Sequence, residues 1–322
     1  MSGGRWSTCW WVLAALLVAL GAEARGRPAW DREVGRRQGH HPSRQERRRL
    51  AFDAVQDIPT SAAQVIKSIE GLKARFEQQG GKNAPRVTRL SHDRAQYPIY
   101  KIDIPAVGRP TRGKRPTRVL VSSWIHGDEP VGPATALKLV DLTLRKKNMR
   151  RDFDLSVLVK VDRFMTRNTP ARRNHPDGVN QNRAFAKGKW STETKVMRKA
   201  VKGQKYDLFV DLHADTEPGF FMIWEADKGR VTGRALSAMK TGALLDATPK
   251  NHWVGDYNFH MLGGATTEGL AGCFDRFMAR KGVPYSYTME APRTVPPAQQ
   301  VQGMLKLLRS TMYNVARHGK LR

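Results

Sequence analysis

The chain has 322 residues, and its 56 Lys and Arg against 29 Asp and Glu give a formal charge of +27. Two cysteines, Cys9 and Cys273, exclude a disulfide-built scaffold, so the fold has to rest on a hydrophobic core, which a chain of this length can bury. The charge draws anionic partners. No base-stacking pattern or nucleic-acid fold motif accompanies it, so in an exported protein it points to anionic cell-envelope polymers or membrane surfaces rather than to specific nucleic-acid recognition, with a solvated, arginine-rich surface as the plain alternative.

Residues 1–24 carry an arginine near the start, an apolar core from Trp10 to Leu20, and Ala22-Glu23-Ala24. That order is a secretory signal peptide with cleavage near Ala24, and the apolar core is too short for a transmembrane anchor. The expected destination is secreted or periplasmic. Cys9 would leave with the leader, and Cys273 would remain alone. Residues 25–50 hold nine Arg against Asp31, Glu33 and Glu46 with almost no apolar content, the composition of a disordered basic linker.

Residues 51–84 predict one N-terminal helix. Thr60 or Ser61 can cap it, apolar residues recur at Val65, Ile66, Ile69, Leu72 and Phe76, and Gly80-Gly81 ends it. From Pro85 to the end, strand-like and helix-like segments alternate. They run VLVSSWI, PATALKLVDLTLRKK, LSVLVKVDR, DLFVDLHA, FFMIWEA and YSYTME, then a last helix from about Ala298 to Arg317. This alternation predicts one α/β domain over 85–322, with a mostly parallel sheet covered by helices on both faces.

Chemistry-bearing residues collect at the ends of these strands. His126 and Glu129 emerge together from the apolar run Val119–Ile125, with Pro130 just beyond. His213 ends a second apolar run, Leu208–Leu212. Between them, the loop RRNHPDGVNQNRAF carries Arg173, Asn182 and Arg183. Glu290 closes an alternating strand that Pro292 terminates. Two imidazoles and a carboxylate suit zinc, with an open position for water, and ligands gather at the carboxyl edge of parallel strands. Each residue also has a plain alternative. His213 could be a core histidine, Arg173 a solvated charge with Arg172 as its substitute, and Glu290 a turn acid. Asp128 and Asp211 read as turn and local hydrogen-bonding residues. His40, His41, His92, His252, His260 and His318 show no spacing for a second metal site.

Taken together, HGDE, DLHAD, R-N-x-x-x-G-V-N-Q-N-R and YSYTME resemble the zinc carboxypeptidase superfamily, which includes the succinylglutamate desuccinylase and aspartoacylase enzymes. The resemblance spans roughly residues 85–322 and implies that superfamily's three-layer α/β fold. It implies one Zn2+ per chain, held by His126, Glu129 and His213, with Glu290 as general base and then general acid. Arg173 would stabilise the oxyanion, while Asn182 and Arg183 would clamp a free substrate carboxylate. Three departures stand out. Asn180 occupies the place of an acid that orients a zinc-bound histidine. The tyrosine often used beside the scissile bond has no aligned match among Tyr257, Tyr285 and Tyr287. Asp275, about fifteen residues before Glu290, falls where an acid would select a basic terminal residue, with a surface carboxylate as the plain alternative. The expected activity is removal of a C-terminal residue from a peptide, peptidoglycan stem peptides being an attractive class. The alternatives are N-acyl amino acid deacylation, whose flavour the string NRAF carries, and a binding module on a decayed enzyme fold.

Overall fold

A computed structural model describes residues 61–81, 83–91, 98–161, 173, 178–186, 188, 190–216, 219–226, 253–254, 257–263 and 272–318. The expected leader, the basic linker, residues 51–60 and Arg172 lie outside the described residues. No helix among the described residues is long and apolar enough to cross a membrane.

Helix α1 (Ala62–Gln79) begins where Ser61 accepts a hydrogen bond from the Gln64 amide, and ends at Gly80 and Gly81, both at positive φ. Its buried stripe, Val65, Ile69 and Phe76, belongs to the same core as the residues that follow Pro85.

Nine strands are described: β1 (Arg86–Arg89), β2 (Ile99–Ile104), β3 (Thr117–Ser123), β4 (Phe153–Lys160), β5 (Leu208–Asp215), β6 (Phe221–Ala226), β7 (Trp253–Val254), β8 (Tyr257–Gly263) and β9 (Tyr285–Pro292). Their order is β1-β2-β4-β3-β5-β9-β6-β8-β7. The centre, β4-β3-β5-β9, is parallel. Antiparallel pairings flank it, β1 and β2 on one side and β6 against β9 on the other, so the sheet is mixed with parallel inner strands.

The helices cover both faces. On one face, α1, α2 (Val131–Arg145), α3 (Lys147–Asp152) and α6 (Pro297–His318) pack against Val119, Val121, Val157, Leu208 and Val210. On the other, α4 (Thr192–Val201) and α5 (Phe274–Arg280) pack against Leu120, Leu158 and Phe209. Neighbouring residues in β3, β4 and β5 thus enter opposite cores, as the period of two along a strand requires.

This arrangement brings the chemistry to one edge. Ser123, the last residue of β3, pairs with Leu212, and His213 pairs with Glu290. β5 does not stop before His213, because β9 continues the ladder to Asp215. β3 ends two residues earlier than its apolar run suggests. Trp124 turns to φ 67, the left-handed region that a bulky residue rarely enters, and breaks the strand. Its indole N–H donates to the Gly127 carbonyl at 2.9 Å, so the fully buried ring closes the loop that holds His126. Gly132 then lets α2 approach closely: a Cβ there would lie 3.0 Å from the Leu212 carbonyl oxygen and 3.2 Å from the Trp124 nitrogen.

Candidate metal centre

His126, Glu129 and His213 are buried together, with one ligand atom from each within 4.8 Å of the others. His126 Nδ1 lies 2.8 Å from Glu129 Oε1, and His213 Nδ1 lies 2.7 Å from Glu129 Oε2. The outward nitrogens are tied back. His126 Nε2 meets Asn180 Oδ1 at 3.1 Å, and His213 Nε2 meets Asp211 Oδ2 at 3.0 Å. Amide and carboxylate oxygens only accept, so both Nε2 atoms carry protons; at His213 the 3.0 Å contact with Asp211 outweighs a 3.5 Å approach of the Asn182 amide nitrogen. In neutral rings, both Nδ1 lone pairs then point inward at a carboxylate that is 1% exposed. Lone pairs facing carboxylate oxygens repel unless positive charge lies between them, and a divalent cation supplies it. The donor set fits such an ion.

Without an ion, protons have to do that work. Burial alone raises the Glu129 carboxyl, but His213 and His126 outweigh it and hold the group well below the ordinary carboxylate range. Burial lowers His126. Burial also opposes charge on His213, yet Asp211 and Glu129 overcome it and raise that imidazole well above its ordinary value.

Glu290 stands beside His213 across the β5–β9 ladder, 8% exposed. Burial raises its carboxyl well above the ordinary value, and Oε2 has no hydrogen-bond partner among the described residues. Arg173 donates from Nη1 to Glu129 Oε1 at 3.0 Å, with about half of its side chain exposed.

The segment carrying Asn182 and Arg183 docks on the start of α5. Asn182 Oδ1 accepts from the Phe274 amide at 3.1 Å, and the Phe185 amide donates to the Gly272 carbonyl at 3.0 Å. Gly272 is needed there, because a Cβ would fall 2.0 Å from the Arg183 carbonyl oxygen. Phe185, in the NRAF string, stacks on Phe274 at 4.2 Å, so that string contributes to the core. Arg183 Nη1 donates to Cys273 Sγ and to the Asn182 carbonyl, each at 3.0 Å. Burial, followed by the charge of Asp275, pushes the Cys273 thiol up to about 12.

Asp275 is no surface carboxylate. It is 2% exposed in the first turn of α5, accepts from the Thr288 hydroxyl at 2.9 Å and from the Arg276 amide at 2.7 Å, and is pushed up to about 6 by burial and then by Asp211. Tyr287 is fully buried within the sheet-and-helix core and Tyr285 packs against it; the side chain of Tyr257 lies outside the described residues. Asp211 is the local hydrogen-bonding residue that the sequence suggests, whereas Asp128 bonds far beyond its own turn. Asp211 orients His213, and Asp128 accepts from Arg293 at 2.8 Å. Sequence reasoning passed over Arg293 because an arginine after a strand-ending proline carries no signal in so basic a chain.

The fold is like that of metallo-carboxypeptidases, and it carries a candidate His/Glu/His metal site. Solved structures bear this out at the level of the fold. A candidate metallopeptidase from Shewanella amazonensis is similar with a TM-score of 0.59 and 17% identity, covering 80% of this chain and 94% of its own. A metallo-carboxypeptidase from Burkholderia cenocepacia has a TM-score of 0.53 and 15% identity, covering 77% and 67%. Bovine thrombin-activatable fibrinolysis inhibitor, solved with a tick carboxypeptidase inhibitor, has a TM-score of 0.57 and 15% identity, covering 79% and 96%. No family model matches the sequence, and no curated protein matches it significantly.

Proposed function

We propose that the chain is an exported zinc hydrolase of carboxypeptidase type, cleaving an amide bond next to a terminal carboxylate. The observation that supports this most is the pair of histidines with Nε2 anchored outward and Nδ1 directed at Glu129, beside a buried Glu290. His126, Glu129 and His213 would hold the zinc ion, which would supply Lewis acidity toward a carbonyl oxygen and would bring the pKa of water toward ~7. Glu290 takes the water's proton on its carboxylate and returns it to the departing amine nitrogen. Its burial serves the second step, because a carboxyl that binds its proton more tightly can carry it through the reaction. Arg173 reaches the triad from the exposed rim and donates to the carbonyl oxygen as negative charge develops there. Arg183, with Asn182 beside it, binds the substrate's free carboxylate; a planar guanidinium forks onto two oxygens where an ammonium would meet one.

The expected leader and the charge of +27 favour a substrate in the anionic cell envelope, and stem peptides with free carboxylates meet that description. In this reading residues 1–24 are the cleaved leader, 25–50 a basic linker, 51–84 an N-terminal helical segment and 85–322 the catalytic domain. The test combines metal analysis with a mixed library of peptides, muropeptides and N-acyl amino acids, on protein lacking residues 1–24. One zinc per chain with chelator-sensitive loss of C-terminal residues is the expected result. Zinc with cleavage of acyl amino acids alone would replace the peptidase reading with deacylation. Absence of bound metal, or binding unchanged in His126→Ala and His213→Ala, would remove the assignment.

A further inference from the structure

Arg293 follows Glu290 by three residues, at the point where the β5–β9 ladder ends. Its guanidinium uses all three nitrogens. Nε donates to the Ala214 carbonyl at 3.1 Å, Nη1 to Asp128 Oδ2 at 2.8 Å, and Nη2 to Glu129 Oε1 at 3.3 Å. Its backbone amide donates to the Asp215 carbonyl at 2.7 Å. These acceptors lie on the two segments that deliver the metal ligands. Ala214 and Asp215 follow His213, Asp128 precedes Glu129, and Glu129 is itself a ligand candidate. One residue on the Glu290 strand thus fastens together chain segments that are about 80 and 165 residues away.

We propose that Arg293 is a positioning residue of the metal centre, fixing the Glu129 carboxylate against the strand end that carries His213 before an ion binds. The inference rests on the reading that His126, Glu129 and His213 hold a divalent ion. A rigid guanidinium fork suits three acceptors in fixed directions, which a flexible ammonium cannot meet together. Partners that orient a ligating group influence metal affinity by about 10–100-fold. Charge acts in the opposite sense: a cation 3.3 Å from a ligand oxygen repels an incoming metal ion. Removing Arg293 therefore weakens metal binding if its geometry dominates, and tightens it if its charge does.

The experiment measures zinc affinity by competition with a chelating dye, and thermal unfolding of the metal-free chain, for the parent, Arg293→Gln, Arg293→Lys and Asp128→Asn. The expected result is zinc binding weakened about 10–100-fold in both Arg293 variants. Asp128→Asn, which loosens one arm of the fork and leaves Glu129 in place, is expected to weaken binding by a smaller factor and serves if the Arg293 variants do not fold. Equal or tighter binding in Arg293→Gln, parent-like binding in Arg293→Lys, or a change in thermal midpoint without a change in affinity overturns the proposal. A parent chain that binds no zinc overturns the metal-site reading and the proposal with it, whereas normal zinc binding by parent and variants alike overturns the proposal alone.

Discussion

Glu290→Gln should make the protein more stable and less active at once. In the metal-free chain the Glu290 carboxyl is buried, one of its oxygens has no hydrogen-bond partner among the described residues, and burial raises it well above its ordinary value. A carboxyl whose proton affinity rises on folding contributes stability that is complete below its unfolded value, near 4.3. That contribution is lost as pH rises through the higher folded value. Glutamine has nearly the same shape and never ionises. Relieving a buried, unsatisfied charge is worth about 1–3 kcal/mol, and each kcal/mol moves the midpoint of a chain of this size by about 2–4 °C. Thermal unfolding of the chelated variant should therefore match the parent near pH 4 and exceed it by several degrees at pH 8. If the proposed function holds, the same change in the zinc-loaded chain removes the proton carrier, so kcat should fall by about 10²–10⁴ with zinc content unchanged. A variant equally stable at pH 4 and pH 8 would refute the buried-charge argument. Parent-like turnover would show that another group is the base.

Three further outcomes follow from particular contacts. Asn180→Asp should tighten zinc binding in a dye-competition assay, because a carboxylate accepting from His126 Nε2 makes the ring a better donor than an amide does; unchanged affinity would show that Asp211 at His213 already suffices. Arg183→Lys should raise KM about tenfold or more for free-acid substrates and leave amidated ones nearly unaffected, since only the fork is lost. A uniform loss on both substrate types would remove the carboxylate clamp. Trp124→Phe deletes the indole donor to Gly127 while keeping most of the buried ring, so unfolding experiments should show a loss of about 1–3 kcal/mol. A smaller loss would mean that ring packing, rather than the hydrogen bond, closes the loop.

Much of this protein is legible locally. The cap at Ser61 and the stop at Gly80 lie within a few residues of the helix they bound, and apolar runs mark the inner strands because both sheet faces are covered. His126 and Glu129 sit three residues apart, so one loop presents both, and His213 and Glu290 follow at strand ends that the apolar pattern itself locates. Asn180 is legible only through the resemblance, which implies a residue orienting a zinc-bound histidine at that place; the fold sets its side-chain oxygen 3.1 Å from His126 Nε2.

What tertiary structure decided depends on groups that sequence separation hides. The flanking antiparallel strands arise from pairing, which no period of two can reveal, and β5 reaches past His213 because β9 lies alongside it. Trp124 takes up the left-handed region in a buried loop where its indole donates to the Gly127 carbonyl. Asp275 becomes a buried acid through Thr288 on a neighbouring strand, and Arg293 becomes a clamp through acceptors far away in the chain. Composition and periodicity report which residues a segment can bury or expose, but the partner of a charged or polar group is chosen by the fold that brings distant segments within hydrogen-bonding distance.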